Sequence, residues 1–175
     1  PIADLPAKPE LMQAAVQGGA AAFRVHCVQC HGAGGAGVKT LYPSLTDDDW
    51  LWGGDLSTIE YTIAHGIRNP DHDATRTSLM PAFGRDGMLE RDQVRSVAAY
   101  VYSLSNPDYS TEENLERIEA GREVFATTCA ACHGENAEGN REVGAPNLTD
   151  TRWVYGGDLQ TIIASVHGGR QGHMP

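Results

Sequence analysis

The chain has 175 residues, which is enough for one large domain or two small ones. It carries 23 Asp and Glu against 13 Lys and Arg, and the resulting formal net charge of −10 excludes the basic surface that nucleic-acid binding requires. Aromatic residues make up only 7% of the sequence and 20 residues are Gly. Each half therefore has few bulky side chains, and we expect it to depend on a bound apolar group for its core.

The first predicted element is a helix from Pro9 to His26. Gly19, Phe23 and Cys27 are spaced four residues apart, so they share one face of this helix. The small Gly permits the close approach of a second helix, and Phe23 packs against that helix or against the bound group. The pattern returns in a second predicted helix, over residues 111–128, as Gly121, Phe125 and Cys129.

Each of these helices leads into a Cys-x-x-Cys-His motif, and the two motifs contain all four cysteines of the chain. This pattern attaches haem c: the two thiols add to the vinyl groups, and the adjacent histidine binds the iron. A zinc site with paired Cys-x-x-Cys motifs needs the pairs about 15 to 20 residues apart, and a thioredoxin-like dithiol needs a βαβ setting. Neither fits, so the sequence predicts two covalently bound haem c groups, at Cys27, Cys30 and His31 and at Cys129, Cys132 and His133.

A proline and a tryptophan follow each motif, as Pro43 and Trp50 and then as Pro146 and Trp153. An iron-binding histidine usually donates its second ring N–H to a carbonyl, and we expect the two prolines to provide that carbonyl. The tryptophans either donate to haem propionates or pack against the porphyrin, and the sequence leaves both roles open.

A short helix is predicted next in each half, with Asp55 and Asp158 as N-caps and with Gly66 and Gly168 at the ends. His65 and His167 precede these glycines, so histidine is one alternative for the second iron ligand. A histidine at the end of a helix more often caps carbonyls or meets a propionate.

Methionine is the preferred second ligand, because its soft sulfur favours ferrous iron and raises the potential of a cytochrome c. Met80 and Met174 share a Met-Pro dipeptide downstream of the short helix, and they form the best pair. Residues 69–76 lengthen the first of these loops. Met88 is a rival for the first haem, although we expect it to pack near the start of the next helix.

A third helix is predicted over residues 90–105, with an apolar stripe of Val94, Val97, Val101 and Leu104. We place the first haem domain at residues 1–106, a linker at 107–110 and the second haem domain at 111–175. The second domain has no counterpart of the third helix in this chain, so we expect an exposed apolar surface there. The predicted fold class is all-α, with each domain wrapped around one haem.

These motifs resemble those of class I cytochromes c in tandem. The runs from Leu45 to Gly54 and from Leu148 to Gly157, together with Met80-Pro81-Ala82-Phe83-Gly84, are similar to the dihaem subunit III of cbb3-type cytochrome c oxidases, the CcoP/FixP family. The resemblance implies haem attachment at the cysteines and histidines named above, with Met80 and Met174 as second iron ligands.

The resemblance also implies a function and a location. In that family the haem domains follow an N-terminal membrane helix, face the periplasm, and pass electrons to a monohaem subunit and then to the catalytic haem-copper subunit. We therefore expect an electron-carrying subunit rather than a catalytic one, with the other oxidase subunits and a donor cytochrome c as partners. No stretch of about 20 apolar residues is present, so membrane association would need an anchor outside this chain.

Two alternatives remain at this point. A freestanding periplasmic dihaem cytochrome c would serve several redox partners, and its acidic surface would suit basic ones. A dihaem peroxidase belongs to a different class, because it needs an iron position that is open or can open. A high-spin ferric spectrum, or a reduced spectrum that shifts with carbon monoxide, would distinguish the peroxidase from an electron carrier.

Overall fold

Seven α-helices form the framework of the computed structural model, which describes residues 1–175. No β-strand is formed, and the only pairings of that type are isolated bridges. The structure is thus mostly helical and consistent with a cytochrome c fold. No helix has both the length and the hydropathy of a membrane span. The helices are α1 (Pro9–His26), α2 (Val28–His31), α3 (Leu56–His65), α4 (Arg91–Ser105), α5 (Glu112–Val124), α6 (Ala130–His133) and α7 (Leu159–Gly168).

The predicted helix over residues 111–128 differs from the structure at its C-terminal end. The regular helix α5 stops at Val124, and a π-helical turn, Phe125–Cys129, continues to the second Cys-x-x-Cys-His motif. A π turn displaces the usual hydrogen bonds by one residue. Here the hydroxyl of Thr127 donates to the carbonyls of Glu123 and Val124, at 3.0 and 3.2 Å, and competes with the regular backbone hydrogen bonds at the change of register.

Aspartate side chains begin α3 and α7 as expected. Asp55 accepts a hydrogen bond from the backbone N–H of Thr58, and Asp158 accepts one from Thr161, both at 3.0 Å. The predicted end of the second of these helices is wrong by one residue, because α7 includes Gly168 and its C-cap is Gly169.

This shift changes how the two halves correspond. The caps align Asp55 with Asp158 and Gly66 with Gly169, so His65 lies opposite Gly168 and not opposite His167. The two His-Gly pairs are therefore not at equivalent positions. Their recurrence in the sequence does not support paired histidine ligation.

Helix α4 lies against the second half of the chain. Val94, Val97 and Val101 are buried, and α4 packs against α5 and α7. At the crossing with α5, Gly121 is buried close to Ser96 and Tyr100. The rings of Tyr100 and Phe125 lie 5.3 Å apart, centroid to centroid. Helix α4 thus occupies the place that a closing helix of the second half would take.

The expectation of an exposed apolar surface on the second half is therefore wrong. The exposed face belongs to α1, which has no buried residue and whose Gly19 has no neighbouring atom within 4 Å of a Cβ position. The cause is the connection between α4 and α5, a single turn at Pro107–Tyr109. Consecutive elements joined by a short connection usually pack together, and α4 accordingly folds onto α5.

Candidate haem-binding sites

Each Cys-x-x-Cys-His motif forms one turn of helix at the end of a longer helix. Cys27 follows α1, and Cys30 and His31 lie in α2; Cys129 ends the π turn, and Cys132 and His133 lie in α6. No disulfide joins any of the four cysteines. Each cysteine is thus available for a thioether bond to a haem vinyl group, as the Cys-x-x-Cys-His motif requires.

The orientation of both histidines agrees with iron binding. The Nδ1 atom of His31 lies 3.2 Å from the carbonyl oxygen of Pro43, and Nδ1 of His133 lies 3.1 Å from that of Pro146. A carbonyl oxygen can only accept, so Nδ1 carries the proton and Nε2 keeps its lone pair for a metal. Both hydrogen bonds were expected from the sequence, and the residues present therefore fit a haem iron.

Burial in the second half favours neutral side chains. His133 is buried, and burial lowers its pKa, although the hydrogen bond to Pro146 acts in the opposite direction. The neutral imidazole is the form that binds a metal. Burial, with a smaller contribution from the charge of Cys132, raises the pKa of Cys129 to about 11. The raised pKa keeps the Cys129 thiol protonated at neutral pH.

The two tryptophans pack against the backbone that precedes α3 and α7. A Cβ atom at Gly54 would lie 2.7 Å from Cδ1 of Trp50, and one at Gly157 would lie 2.5 Å from Cδ1 of Trp153. The indole N–H of Trp153 donates to the carbonyl of Asp150 at 3.2 Å. An indole has a single N–H, so Trp153 has no second proton to donate to a propionate.

An arginine stacks on the aromatic residue two positions after each tryptophan, which the sequence did not indicate. The guanidinium of Arg76 lies 4.7 Å from the ring centroid of Trp52, and that of Arg170 lies 4.1 Å from the ring centroid of Tyr155. Each Nε donates at 3.0 Å to a hydroxyl on the neighbouring helix, Thr62 for Arg76 and Ser165 for Arg170. The two arginines occupy different positions in the repeat, so sequence alignment alone does not pair them.

The loops that contain Met80 and Met174 are each hydrogen-bonded to the other half of the chain. The N–H and carbonyl of Met80 pair with those of Arg170, at 3.1 and 3.0 Å, and those of Met174 pair with Ile67, at 3.0 and 2.9 Å. Ile67 and Arg170 directly follow the C-cap glycines of α3 and α7. The two pairs are therefore related by an approximate two-fold symmetry.

The other candidates for the second iron ligand do not form a matching pair in the two halves. Met88 is 51% exposed in the turn before α4, whereas Met80 is half-buried and packs against the core. His65 lies beside His72, with Nδ1 and Nε2 3.4 Å apart. His167 packs against Gly84, which follows the Met80 loop in the first half. Met80 and Met174 are the two methionines that occupy matching positions.

The sequence as a whole is similar to one family. The family described as "Cytochrome C oxidase, cbb3-type, subunit III" matches residues 14–101 and 116–175. A Cbb3-type cytochrome c oxidase subunit CcoP from Cereibacter sphaeroides is 51% identical over 169 residues, which are 97% of this chain and 57% of the relative. A subunit FixP from Sinorhizobium medicae is 47% identical over 99% of this chain and 58% of the relative.

A third relative agrees with these two. A Cbb3-type cytochrome c oxidase subunit CcoP from Rhodobacter capsulatus is 48% identical over 97% of this chain and 56% of its own length. The chain thus spans a little more than half the length of the curated relatives it matches.

Proposed function

We propose that this chain, which belongs to the cbb3-type cytochrome c oxidase subunit III family, carries electrons through two haem c groups toward the catalytic subunit of a terminal oxidase. The observation that carries the proposal is the repeated geometry of the proximal histidines. Each Cys-x-x-Cys-His motif ends in an imidazole whose Nδ1 is held by a proline carbonyl, with the other nitrogen free for iron.

The residues have separate roles in this proposal. Cys27, Cys30, Cys129 and Cys132 form the thioether bonds, and His31 and His133 bind the two irons. Haem c, when bound, supplies an iron that takes up and releases one electron at a time. The carbonyls of Pro43 and Pro146 fix the orientation of the imidazoles and increase their basicity. The motifs assign one haem to residues 1–106 and one to residues 111–175, although α4 of the first range packs against α5 and α7 of the second.

Met80 and Met174 provide the second iron ligands in the proposal. A thioether would favour the ferrous state and raise the potential, and an iron held by both histidine and methionine would have no place for oxygen. The chain therefore transfers electrons without catalysis of its own. Trp50 and Trp153 pack beside the haem groups, and the engaged N–H of Trp153 favours packing over donation to a propionate.

The proposed partners follow from the family and from the charge. The other oxidase subunits receive electrons from this chain, and a donor cytochrome c with a basic docking surface supplies them. The net charge of −10 raises the rate of encounter with such a donor at low salt. From the family we place the chain at the periplasmic face of the bacterial inner membrane, as part of the membrane-bound oxidase.

Co-purification tests the assignment to the oxidase. The full-length protein, tagged and expressed from its native locus, is expected to bring down a haem-copper subunit in detergent. A carbon monoxide difference spectrum of the isolated chain is expected to be flat. If no haem-copper subunit co-purifies and the spectrum does not change with carbon monoxide, the alternative of a freestanding dihaem carrier is supported. A spectrum that shifts with carbon monoxide would refute a purely electron-carrying role.

A further inference from the structure

We propose that each half of the chain positions the distal methionine of the other half, through backbone pairs formed by the residues that follow the C-cap glycines of α3 and α7. The proposal rests on the ligation of iron by Met80 and Met174 proposed above. Its basis is the reciprocal pairing of Met80 with Arg170 and of Met174 with Ile67, which forms four backbone hydrogen bonds across the two halves.

The glycines before these pairs leave no room for a side chain. A Cβ atom at Gly169 would lie 2.6 Å from the carbonyl oxygen of Met80 and 2.8 Å from the N of Ala82. A Cβ atom at Gly66 would lie 2.5 Å from the carbonyl oxygen of Met174. Both glycines have a φ of 70°, a conformation that side chains disfavour. Each methionine loop therefore rests directly on the glycine of the other half.

An arginine strengthens the same contact. Arg68, in the first half, donates from Nε to the carbonyl of Gly172 at 2.5 Å and from Nη1 to the carbonyl of Ser78. Gly172 lies two residues before Met174, and Ser78 lies two residues before Met80. One guanidinium thus joins both methionine loops.

A second contact lies on the other side of the Met80 loop. The carbonyl of His167 accepts a hydrogen bond from the N–H of Arg85 at 2.9 Å, and the imidazole of His167 lies against Gly84. The end of α7 consequently contacts the first half both at Met80 and a few residues beyond it. The Met80 loop is therefore held at two points by the second half.

This arrangement makes each iron–sulfur bond depend on contacts between the two halves of the chain. A loop displaced from its glycine withdraws the methionine sulfur, and loss of a thioether ligand lowers the potential of that haem. Gly66 and Gly169 are accordingly positioning residues, and each acts on the methionine of the half to which it does not belong. Because the two loops contact opposite halves, displacement of one methionine loop is expected to weaken the position of the other.

The test uses the holoprotein with both haem groups attached. Met80→His and Met174→His first assign each step of a redox titration to one haem. Gly169→Ala is then expected to lower the potential of the Met80 haem and to weaken its methionine-to-iron charge-transfer band. Gly66→Ala is expected to do the same to the Met174 haem.

Two control variants separate these effects from ordinary changes at glycine. Gly168→Ala alters the neighbouring residue, where a Cβ has no atom within 4 Å. Gly87→Ala reproduces the positive φ, 71°, again with no atom within 4 Å. Both are expected to leave the charge-transfer bands unchanged. If the alanine variants at the cap glycines fail to fold, Arg68→Gln is used instead, and it is expected to lower the potential of the Met174 haem although Arg68 lies in the first half.

The outcomes distinguish this proposal from the one it rests on. If Met80→His or Met174→His leaves both potentials unchanged, the ligation itself is refuted. If those variants shift the potentials, but Gly169→Ala leaves the potential of the Met80 haem unchanged and Gly66→Ala and Arg68→Gln leave that of the Met174 haem unchanged, cross-positioning is refuted and the ligation stands.

Discussion

The substitution of Gly121 by Ala tests where α4 packs. A Cβ at Gly121 would overlap the carbonyl oxygen of Ser96 and would lie 2.9 Å from Cβ of Tyr100. Carbon atoms ordinarily approach to about 3.5–4.0 Å, so α4 would have to move away from α5. The matched control is Gly19→Ala, at the equivalent position of α1, where no atom lies within 4 Å.

The expected magnitude follows from two opposed effects. Replacing a glycine inside a helix by alanine gains about 1 kcal/mol from helix propensity, and this gain is common to both variants. Overpacking at the crossing costs about 1–3 kcal/mol and affects Gly121→Ala alone. The free energies of unfolding of the two variants should therefore differ by about 1–3 kcal/mol, with Gly121→Ala the less stable.

Chemical denaturation of the holoprotein, followed by circular dichroism, measures this difference. Each kcal/mol corresponds to roughly 2–4 °C in Tm for a chain of this size, so thermal unfolding provides a second readout. A result in which Gly19→Ala is the destabilised variant would refute the packing described here. It would mean that α4 crosses α1, as the order of the helices in the sequence suggests.

Two further predictions concern single sites. The hydroxyl and the backbone N–H of Thr161 lower the pKa of Asp158 below its usual 3.8, so the charged cap stabilises the fold above that pH and the stability is lost as the pH falls through the lowered pKa. Asp158→Asn keeps a good N-cap without a charge that titrates. Its Tm should therefore vary less with pH in this acid range. If the Tm of the variant depends on pH as strongly as that of the original chain, the role of the carboxylate is contradicted. Replacing Cys129 and Cys132 together by Ala should halve the covalent haem content measured by intact mass and pyridine haemochrome assay; a full content would exclude this motif as an attachment site.

The features that could be predicted from the sequence depend on local interactions. The span of α1 and the aspartate caps at Asp55 and Asp158 follow from residues within a few positions of one another. The hydrogen bonds from His31 to Pro43 and from His133 to Pro146 are also short in sequence, 12 and 13 residues apart. The loop between each histidine and its proline is short and has few alternative conformations, so the repeated proline correctly predicted the hydrogen-bond partner.

The packing of α4 could not be predicted in this way. Gly19 and Gly121 present the same pattern, and an apolar helix can cross either of them. The short turn at Pro107–Tyr109 decides between the two, because it keeps α4 next to α5. Sequence periodicity identifies the buried face of a helix and does not identify its partner.

The backbone pairing of each methionine loop with the other half could not be predicted from the sequence either. Backbone hydrogen bonds such as those between Met80 and Arg170 use groups that every residue has, so no side-chain pattern indicates them. The correspondence of Arg76 with Arg170 is obscured by the longer first loop. Only the structure aligns these arginines, through their aromatic and hydroxyl partners.

A spectroelectrochemical titration of the intact chain tests the central proposal most directly, since it counts the electrons and reports the state of the iron in one measurement. We expect two one-electron steps per chain, low-spin spectra in both oxidation states, and no change of the reduced spectrum when carbon monoxide is added. A single step that takes up one electron per chain, a high-spin ferric spectrum, or a shift with carbon monoxide would contradict two haem groups that each have histidine and methionine ligands.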